Sequence, residues 1–387
     1  MTLSKDSQVL IISHFYKRII NAGWPPQQVR DFILPKVKRV IYIEHPFPYA
    51  DDHRSSMTVY EDGKMSKVFF TPALHGPAIF FYFSDIFLTL YFLLRAGGRY
   101  DLAVALDNLN TFSIAPLRWV GAMKKLVFYT IDYTPHRFAQ PLLNWVYHWV
   151  DRRACYWADA IWILSERMSE ARSVNGVDMK KSAPSILLPM GAQLDRITPL
   201  PFTKIHRTQL IFVGHLLKKQ GVQIVLRALP LVIRKIPNTR FVVVGKGEYS
   251  TALQQLVHTL KLTQYVEFKG FVESHEAVEK LVCESAVGIA PYQPVADNHT
   301  FYTDPGKPKL YLGCGLPVIV TAVPAIAQEI EKKKAGTIVE YSPESIAEAV
   351  VRLFQNDLLY KLYRRNALKL AQNYNSNTLI ARAVAQT

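Results

Sequence analysis

A lysine set in a turn bounded by proline and glycine is the strongest chemical feature of this chain. Asp304-Pro305-Gly306-Lys307-Pro308-Lys309 runs into Leu310-Tyr311-Leu312-Gly313-Cys314-Gly315, and the apolar run Val318-Ile319-Val320 follows. Proline near the start and glycine at the end bracket a short helix. Its first turn would present unpaired N–H groups and the positive end of the helix dipole. Gly306 would permit close approach, and Lys307 would add a full charge. That combination suits a diphosphate. The plainer reading is a proline-started helix with two solvated lysines. Three further turns place glycine after an apolar run: Val213-Gly214-His215, Val244-Gly245-Lys246-Gly247 and Lys269-Gly270-Phe271-Val272. Glycine lets the backbone approach an anion and aim N–H groups at it, although tight strand-to-helix turns also need glycine for steric reasons alone. There is no Walker motif and no Gly-x-Gly-x-x-Gly after the first apolar run, so nucleotide hydrolysis and dinucleotide redox chemistry lose their usual signatures.

The first half offers polar residues where apolar runs stop: His14, Asp107-Asn108 and Asp132. A carboxylate or imidazole at the carboxyl end of a strand is placed to handle a substrate proton. A turn or a helix cap explains the same residues without chemistry. Asp51-Asp52-His53 has metal-ligand residue types, but adjacent side chains diverge and a polar loop explains them, so no metal is assigned.

These residues need elements to hold them. The 387-residue chain is too long for one core and suits two domains. With 49% hydrophobic and 20% charged residues it is globular. Three widely spaced cysteines, Cys155, Cys283 and Cys314, give no disulfide framework and no Cys-x-x-Cys site. Short apolar runs at Val9–Ser13, Val40–Ile43, Leu102–Leu106, Leu126–Ile131 and Ala160–Leu164 alternate with helical periodicity, which predicts a parallel α/β sheet. The polar, proline-bearing stretch after Pro189 reads as a linker. Beyond it the alternation restarts, with strands expected at Leu210–Val213, Arg240–Val244, Val266–Phe268, Val287–Ala290, Pro317–Thr321 and Gly336–Val339. The expected division is 1–199 and 200–387, with the last helix able to cross back to the first domain. Two doubly wound sheets would bring their carboxyl ends to a shared cleft.

From Leu210 onward the order FVG, FVVVGKGE, VEFKGFV, VGIAPY, DPGKPKLYLGCGLPVIVT, AIAQEI resembles the C-terminal domain of GT-B glycosyltransferases of the family 4 kind. The segments WADAIWILSERMSE and LLPMGAQLDRI are similar to the family's approach to its linker. The resemblance implies an α/β fold of two Rossmann-like domains facing across a cleft. It also implies transfer of a sugar from a UDP- or GDP-linked donor, used as substrate, with no cofactor and no obligatory metal. The family's paired glutamates fall on Tyr302 and Leu310, and its Arg and Lys after the first C-domain strand fall on His215 and Gln220. The spacing from Lys307 to Gly315 is closer to the glucuronosyltransferase of xanthan assembly and its relatives. That likeness implicates Lys307 and Tyr292 in holding the nucleotide and Asp132 as the base. With the glycine turns read above, the expected donor set also takes in Gly214, His215, Gly245, Lys246, Phe271, Val272, Asp304 and Gly306, and the strand-end residues His14 and Asp107 are candidates toward the acceptor. Two rivals share this outline: an isomerase like the UDP-sugar 2-epimerases, and a donor-binding scaffold without catalysis.

Partners follow from charge and hydropathy. A formal net charge of +15, spread over both halves, favours anionic partners, and no nucleic-acid motif or basic stripe accompanies it. The run Pro77–Leu94 is long enough to span a bilayer and carries one charge, Asp85. Because a Gly-Gly stop and a strand pattern follow at once, the run reads as the helix of a βα repeat, buried or lying against lipid. With Trp145 and Trp149 it suits a cytoplasmic enzyme that touches an anionic membrane and acts on a glycan or lipid-linked glycan.

Overall fold

A computed structural model describes residues 1–16, 24–295 and 298–387, and these form two compact α/β units. The first unit opens with Gln8–Phe15 (β1), whose run Val9–Ile12 is buried, as in a strand covered on both faces. Pro25–Ile33 (α1) leads to Arg39–Pro46 (β2), parallel to β1. Strict alternation then breaks. Ser56–Glu61 (β3) and Lys64–Phe70 (β4) form an antiparallel hairpin on β2, turning at Asp62-Gly63 with φ of 49° and 78°. Two positive φ angles make the tight turn whose twist suits a hairpin, and Asp-Gly adopts it readily. The strand pattern set out above omits this hairpin, because β4 lies exposed at the sheet edge and carries no buried apolar face.

The chain continues through Ala78–Ala96 (α2), Tyr100–Leu106 (β5), Asn108–Trp119 (α3), Met123–Thr130 (β6), Pro141–Trp157 (α4), Ala160–Ile163 (β7), Glu166–Val174 (α5) and Ser185–Leu187 (β8). The sheet order is β4-β3-β2-β1-β5-β6-β7-β8. From β1 the chain runs outward to β2 on one side and later to β5 on the other, which opens a crevice at the carboxyl ends of β1 and β5. Phe92 and Leu93 of α2 and Ile114 and Ala115 of α3 pack against one core cluster with Leu10, Ile12 and Ala103.

The second unit repeats the plan with His206–Val213 (β9), Val222–Ile233 (α6), Arg240–Val244 (β10), Ser250–Thr259 (α7), Val266–Gly270 (β11), His275–Glu284 (α8) and Ser285–Ala290 (β12). Then come Gly306–Gly313 (α9), Val318–Thr321 (β13), Ile326–Lys332 (α10), Gly336–Val339 (β14), Pro343–Gln355 (α11) and Asp357–Ala371 (α12). Its strands are all parallel in the order β11-β10-β9-β12-β13-β14, with the reversal at β9. Val225, Leu229 and Val232 of α6 share the main core with Ile346, Val350 and Leu353 of α11.

The division between units falls at Pro189/Met190, earlier than the expected 199/200. Backbone pairing accounts for this. Met190 N–H donates to the Asp304 carboxylate at 2.9 Å, Ala192 N–H donates to the Tyr374 carbonyl at 2.8 Å, and Ser376 N–H donates to the Ala192 carbonyl at 3.1 Å. The supposed linker is thus tied down by the second unit. The last helix, Ser376–Gln386 (α13), lies almost wholly in the first unit, where Trp162 Nε1 donates to Thr387 Oγ1 at 3.0 Å.

Candidate functional site

In the second unit the reversal at β9 gathers Gly214, Gln220, Tyr292 and Lys307. Helix α9 is fixed there by Tyr311: its phenolic oxygen accepts the Val213 N–H at 2.9 Å, and its ring occupies the space that a side chain at Gly288 would take. A Cβ at Gly288 would come within 2.3 Å of that ring. Lys307 lies one turn before Tyr311 on the same face. Its Nζ donates to Gln220 Oε1 at 2.6 Å and stands 3.9 Å and 4.8 Å from the ring centroids of Phe212 and Tyr292. Among the described residues no carboxylate lies within ion-pair reach of it. Burial therefore holds its pKa well below the ordinary lysine value, and no opposing charge among the described residues lifts it.

Tyr292 is fully buried, its phenol is pushed well above the usual range by burial, and its hydroxyl has no hydrogen-bond partner among the described residues. Gly221, at φ +79°, lets the loop carrying Gln220 press on the end of β12, where a Cβ would overlap the Pro291 carbonyl oxygen. Among the described residues the site is thus a lysine amine without a counter-charge and a phenol without a hydrogen-bond partner, set between aromatic faces, a combination suited to an anion bearing hydroxyls or ring edges.

The glycine turns differ from the expectation in one respect. Gly214 N–H donates to the Val244 carbonyl at 3.0 Å and Gly245 N–H to the Gly270 carbonyl at 2.8 Å. These groups are engaged along the sheet edge and are not presented to a ligand. Gly245, at φ +137°, is required because a Cβ would sit 2.0 Å from the Gly214 oxygen. Gly214 itself, at φ +148°, is approached by Lys307, whose Nζ would lie 3.3 Å from a Cβ there. His215, Lys246 and Phe271 are exposed at the rim, Val272 is half-buried, and Gly306 opens α9 beside Met190.

Asp304 is placed otherwise than as a donor contact. One carboxylate oxygen accepts from Lys309 Nζ and the other from Met190 N–H. Lys309 is buried, also donates to the Pro305 carbonyl at 3.1 Å, and is not the solvated lysine of the plainer reading. Burial pushes Asp304 up and Lys309 down, while their mutual attraction opposes both shifts. The pair fixes the turn that aims Lys307.

The first unit holds a second constellation at its own reversal. His14, at the end of β1, donates from Nδ1 to Asp107 Oδ2 at 2.7 Å and from Nε2 to Asp85 Oδ2 at 2.9 Å. Burial alone would lower its pKa, but the two carboxylates outweigh burial and lift it to about 10. His14 is therefore an imidazolium at neutral pH and is not a base there. Asp107, at φ +67°, caps α3 by accepting the Leu109 and Asn110 N–H groups, both at 3.1 Å. Behind them His45 is hydrogen-bonded to Ser55 Oγ at 2.9 Å and Thr89 Oγ1 at 2.8 Å, and burial lowers it to about 4. Asp132 follows β6, half-exposed and ion-paired with Arg137. Asp52 pairs with Arg54, and among the described residues no group of three or more His, Cys, Asp or Glu side chains converges as metal ligands would.

Sequence reasoning missed Asp85, Tyr311 and Gln220 as parts of these sites. An acid alone in an apolar helix is the signal that could have found Asp85. Gly288 in mid-strand hinted that something packs closely there.

Residues 207–356 match the family described as Glycosyl transferases group 1. These residues form a group 1 glycosyl transferase domain. The group 1 domain contains β9 to β14, and so Gly214, Gln220, Tyr292 and Lys307. Over 165 residues the chain is 25% identical to the GDP-mannose-dependent alpha-(1-6)-phosphatidylinositol monomannoside mannosyltransferase of Mycolicibacterium smegmatis, covering 40% of this chain and 42% of that one. Over 198 residues it is 25% identical to the putative colanic acid biosynthesis glycosyltransferase WcaL of Escherichia coli, covering 49% and 47%. These matches thus span less than half the length of the curated relatives. Anabaena HepE in complex with UDP-glucose is similar over 98% of both chains, with a TM-score of 0.69 at 15% identity. The group 1 domain and its partner unit therefore share the two-domain α/β architecture of GT-B glycosyltransferases.

Proposed function

We propose that this protein is a glycosyltransferase that moves a sugar from a UDP- or GDP-linked donor to a hydroxyl of a glycan or lipid-linked glycan, with no obligatory metal. The observation that carries the reading is Lys307, a part-buried amine at the sheet reversal that faces Gln220 and two aromatic rings, with no carboxylate in ion-pair reach among the described residues. A diphosphate would supply the missing counter-charge. In transfer the bond between the anomeric carbon and the diphosphate oxygen breaks, and Lys307 would stabilise the charge left on that oxygen. The N-terminal turn of α9 at Gly306 would add unpaired N–H groups. Tyr292 would meet the nucleotide, and His215, Lys246, Phe271 and Val272 would form the rim. The reading is supported by a mannosyltransferase relative named for GDP-mannose and by a structural neighbour solved with UDP-glucose.

On the acceptor side we assign Asp132 to take the hydroxyl proton, with Asp107 and His14 forming a fixed polar wall. The test is titration calorimetry of UDP, GDP, ADP and CMP on wild type and Lys307→Ala. One nucleotide should bind wild type and lose at least tenfold in the variant. Equal binding, or none to wild type, overturns the reading. Transfer should persist in EDTA.

A further inference from the structure

We infer that the outward face of α2, together with the edge strand β4, docks on an anionic lipid bilayer. This inference is independent of the donor assignment. Phe80, Phe83, Phe87, Tyr91 and Leu94 recur at helical spacing and are exposed, Phe83 by 60%, Phe87 by 70% and Leu94 by 85%. The opposite stripe, Phe81, Asp85, Thr89 and Phe92, is buried. Only 22% of the residues from Ile79 to Ala96 are buried, so α2 is not a core helix despite its composition.

The exposure is locked in place. Asp85 accepts from His14 and Thr89 meets His45, so rotating α2 to hide its phenylalanines would strand a carboxylate and a hydroxyl in the core. The same bonds seat α2 on the sheet, so the helix would lie in the interface and not span it.

Charge complementarity selects the occupant. Arg95, at the carboxyl end of α2, lies 4.4 Å over the ring of Phe69 in β4 and joins the two elements. On β4, Met65, Val68 and Phe70 are exposed on the same short strand as exposed Lys64 and Lys67, and Arg54 lies 4.9 Å from the Phe70 ring centroid. Exposed aromatics flanked by cations match the acyl boundary and the anionic headgroups of a bilayer, and the +15 chain adds long-range attraction.

The test is sedimentation of the full chain, without detergent, with vesicles of phosphatidylcholine containing phosphatidylglycerol, and with phosphatidylcholine alone. Wild type should pellet with the anionic vesicles at low salt, and binding should fall about tenfold or more in high salt or on neutral vesicles. Phe83→Gln/Phe87→Gln should lose about tenfold or more, with unchanged melting temperature and unchanged nucleotide binding. The inference is overturned if wild type stays in the supernatant or if the double variant pellets equally. It is also overturned if the double variant abolishes a concentration-dependent dimer while vesicles bind neither form, which would assign the face to a second copy. Vesicle binding by a protein that binds no nucleotide would overturn only the donor reading.

Discussion

Asp85, the only acidic residue of α2, accepts a hydrogen bond from His14 Nε2 at 2.9 Å, and so attaches an apolar helix to the carboxyl end of the first strand. Because Asp107 holds the other nitrogen, His14 is charged when folded, with its pKa raised from 6.5 to about 10. A raised pKa means that the folded state binds the proton more tightly. The stabilisation is therefore complete below the unfolded value of 6.5 and disappears as pH rises through about 10. Wild type should lose melting temperature between pH 7 and 10 more steeply than His14→Gln does. His14→Gln itself should cost about 3–5 kcal/mol near pH 7, because it leaves Asp85 buried without its partner. Denaturant titrations across pH check both, and parallel pH curves for the two proteins would refute the assignment.

Lys307 has the opposite signature. Its pKa is lowered by burial, so its charge opposes folding at low pH, and stability is regained as pH rises toward the unfolded value near 10.5. Lys307→Met should therefore leave the unliganded protein as stable at pH 7 or more so, while nucleoside diphosphate binding falls by roughly 10–100-fold. Because an anion restores the charged ammonium, binding to wild type should take up protons, and binding to the variant should not. Calorimetry in buffers of different ionisation enthalpy measures that uptake directly.

The strands of the second unit were legible because most are short apolar runs, those of β9 and β10 ended by Gly214 and Gly245, and the periodicity changes where α6 and α11 begin. The hairpin β3–β4 was less visible: its turn, Asp62-Gly63, carries a recognisable signal, but β4 has exposed lysines on what would be alternating faces. The Lys307 turn was found from Pro305, Gly306 and Lys307 alone. The pairing of Asp304 was not legible, because one-dimensional spacing cannot show that Lys309, two residues past Lys307, turns inward to meet it while Lys307 faces the sheet. The glycines end strands as the sequence suggests, and Gly245 is demanded there by a neighbouring carbonyl. The Asp85–His14 contact joins residues 71 positions apart, so the lone acid of an apolar helix marked Asp85 but nothing local named its partner.

Gly288 and Tyr311 set the position of α9. A methyl group at Gly288 would require the Tyr311 ring to move, because the nearest ring atoms lie 2.3–2.4 Å from where it would sit. Gly288→Ala is expected to displace α9 and weaken nucleotide binding by about tenfold, while costing about 1–3 kcal/mol through overpacking. Tyr311→Phe keeps the ring and removes the acceptor for Val213 N–H together with the donor to the Ile289 carbonyl, at about 1–2 kcal/mol. Paired denaturation and binding measurements separate the two. An unaffected affinity in Gly288→Ala would mean that α9 does not set the site.

Asp304 and Lys309 form a buried pair whose members each lose hydration on folding. Removing one charge should therefore cost more than removing both. Asp304→Asn should destabilise by about 3–5 kcal/mol, and Asp304→Asn/Lys309→Met should recover part of that loss. Nucleotide affinity should recover with stability in the double variant if Asp304 only positions the turn. Affinity that stays low in a stable double variant would return Asp304 to direct contact with the donor.

The acceptor-side base is the assignment that a kinetic profile can decide. Asp132 is half-exposed and paired with Arg137, so its carboxylate can reach a hydroxyl only when the acceptor displaces or shares that guanidinium. Asp107 is held by two backbone N–H groups and by His14, and Asn at this position keeps an acceptor for the cap and tolerates the positive φ. If Asp132 takes the proton, Asp132→Asn should lower kcat by roughly 10²–10⁴ and leave nucleotide affinity unchanged. Asp107→Asn should then change kcat by less than about tenfold, acting only through the orientation of His14. A collapse of kcat in Asp107→Asn with near-normal turnover in Asp132→Asn would transfer the base to the β5 end. Radiolabelled donor with a lipid-extracted glycan pool as acceptor is sufficient for the comparison, since only the ratios between variants are needed.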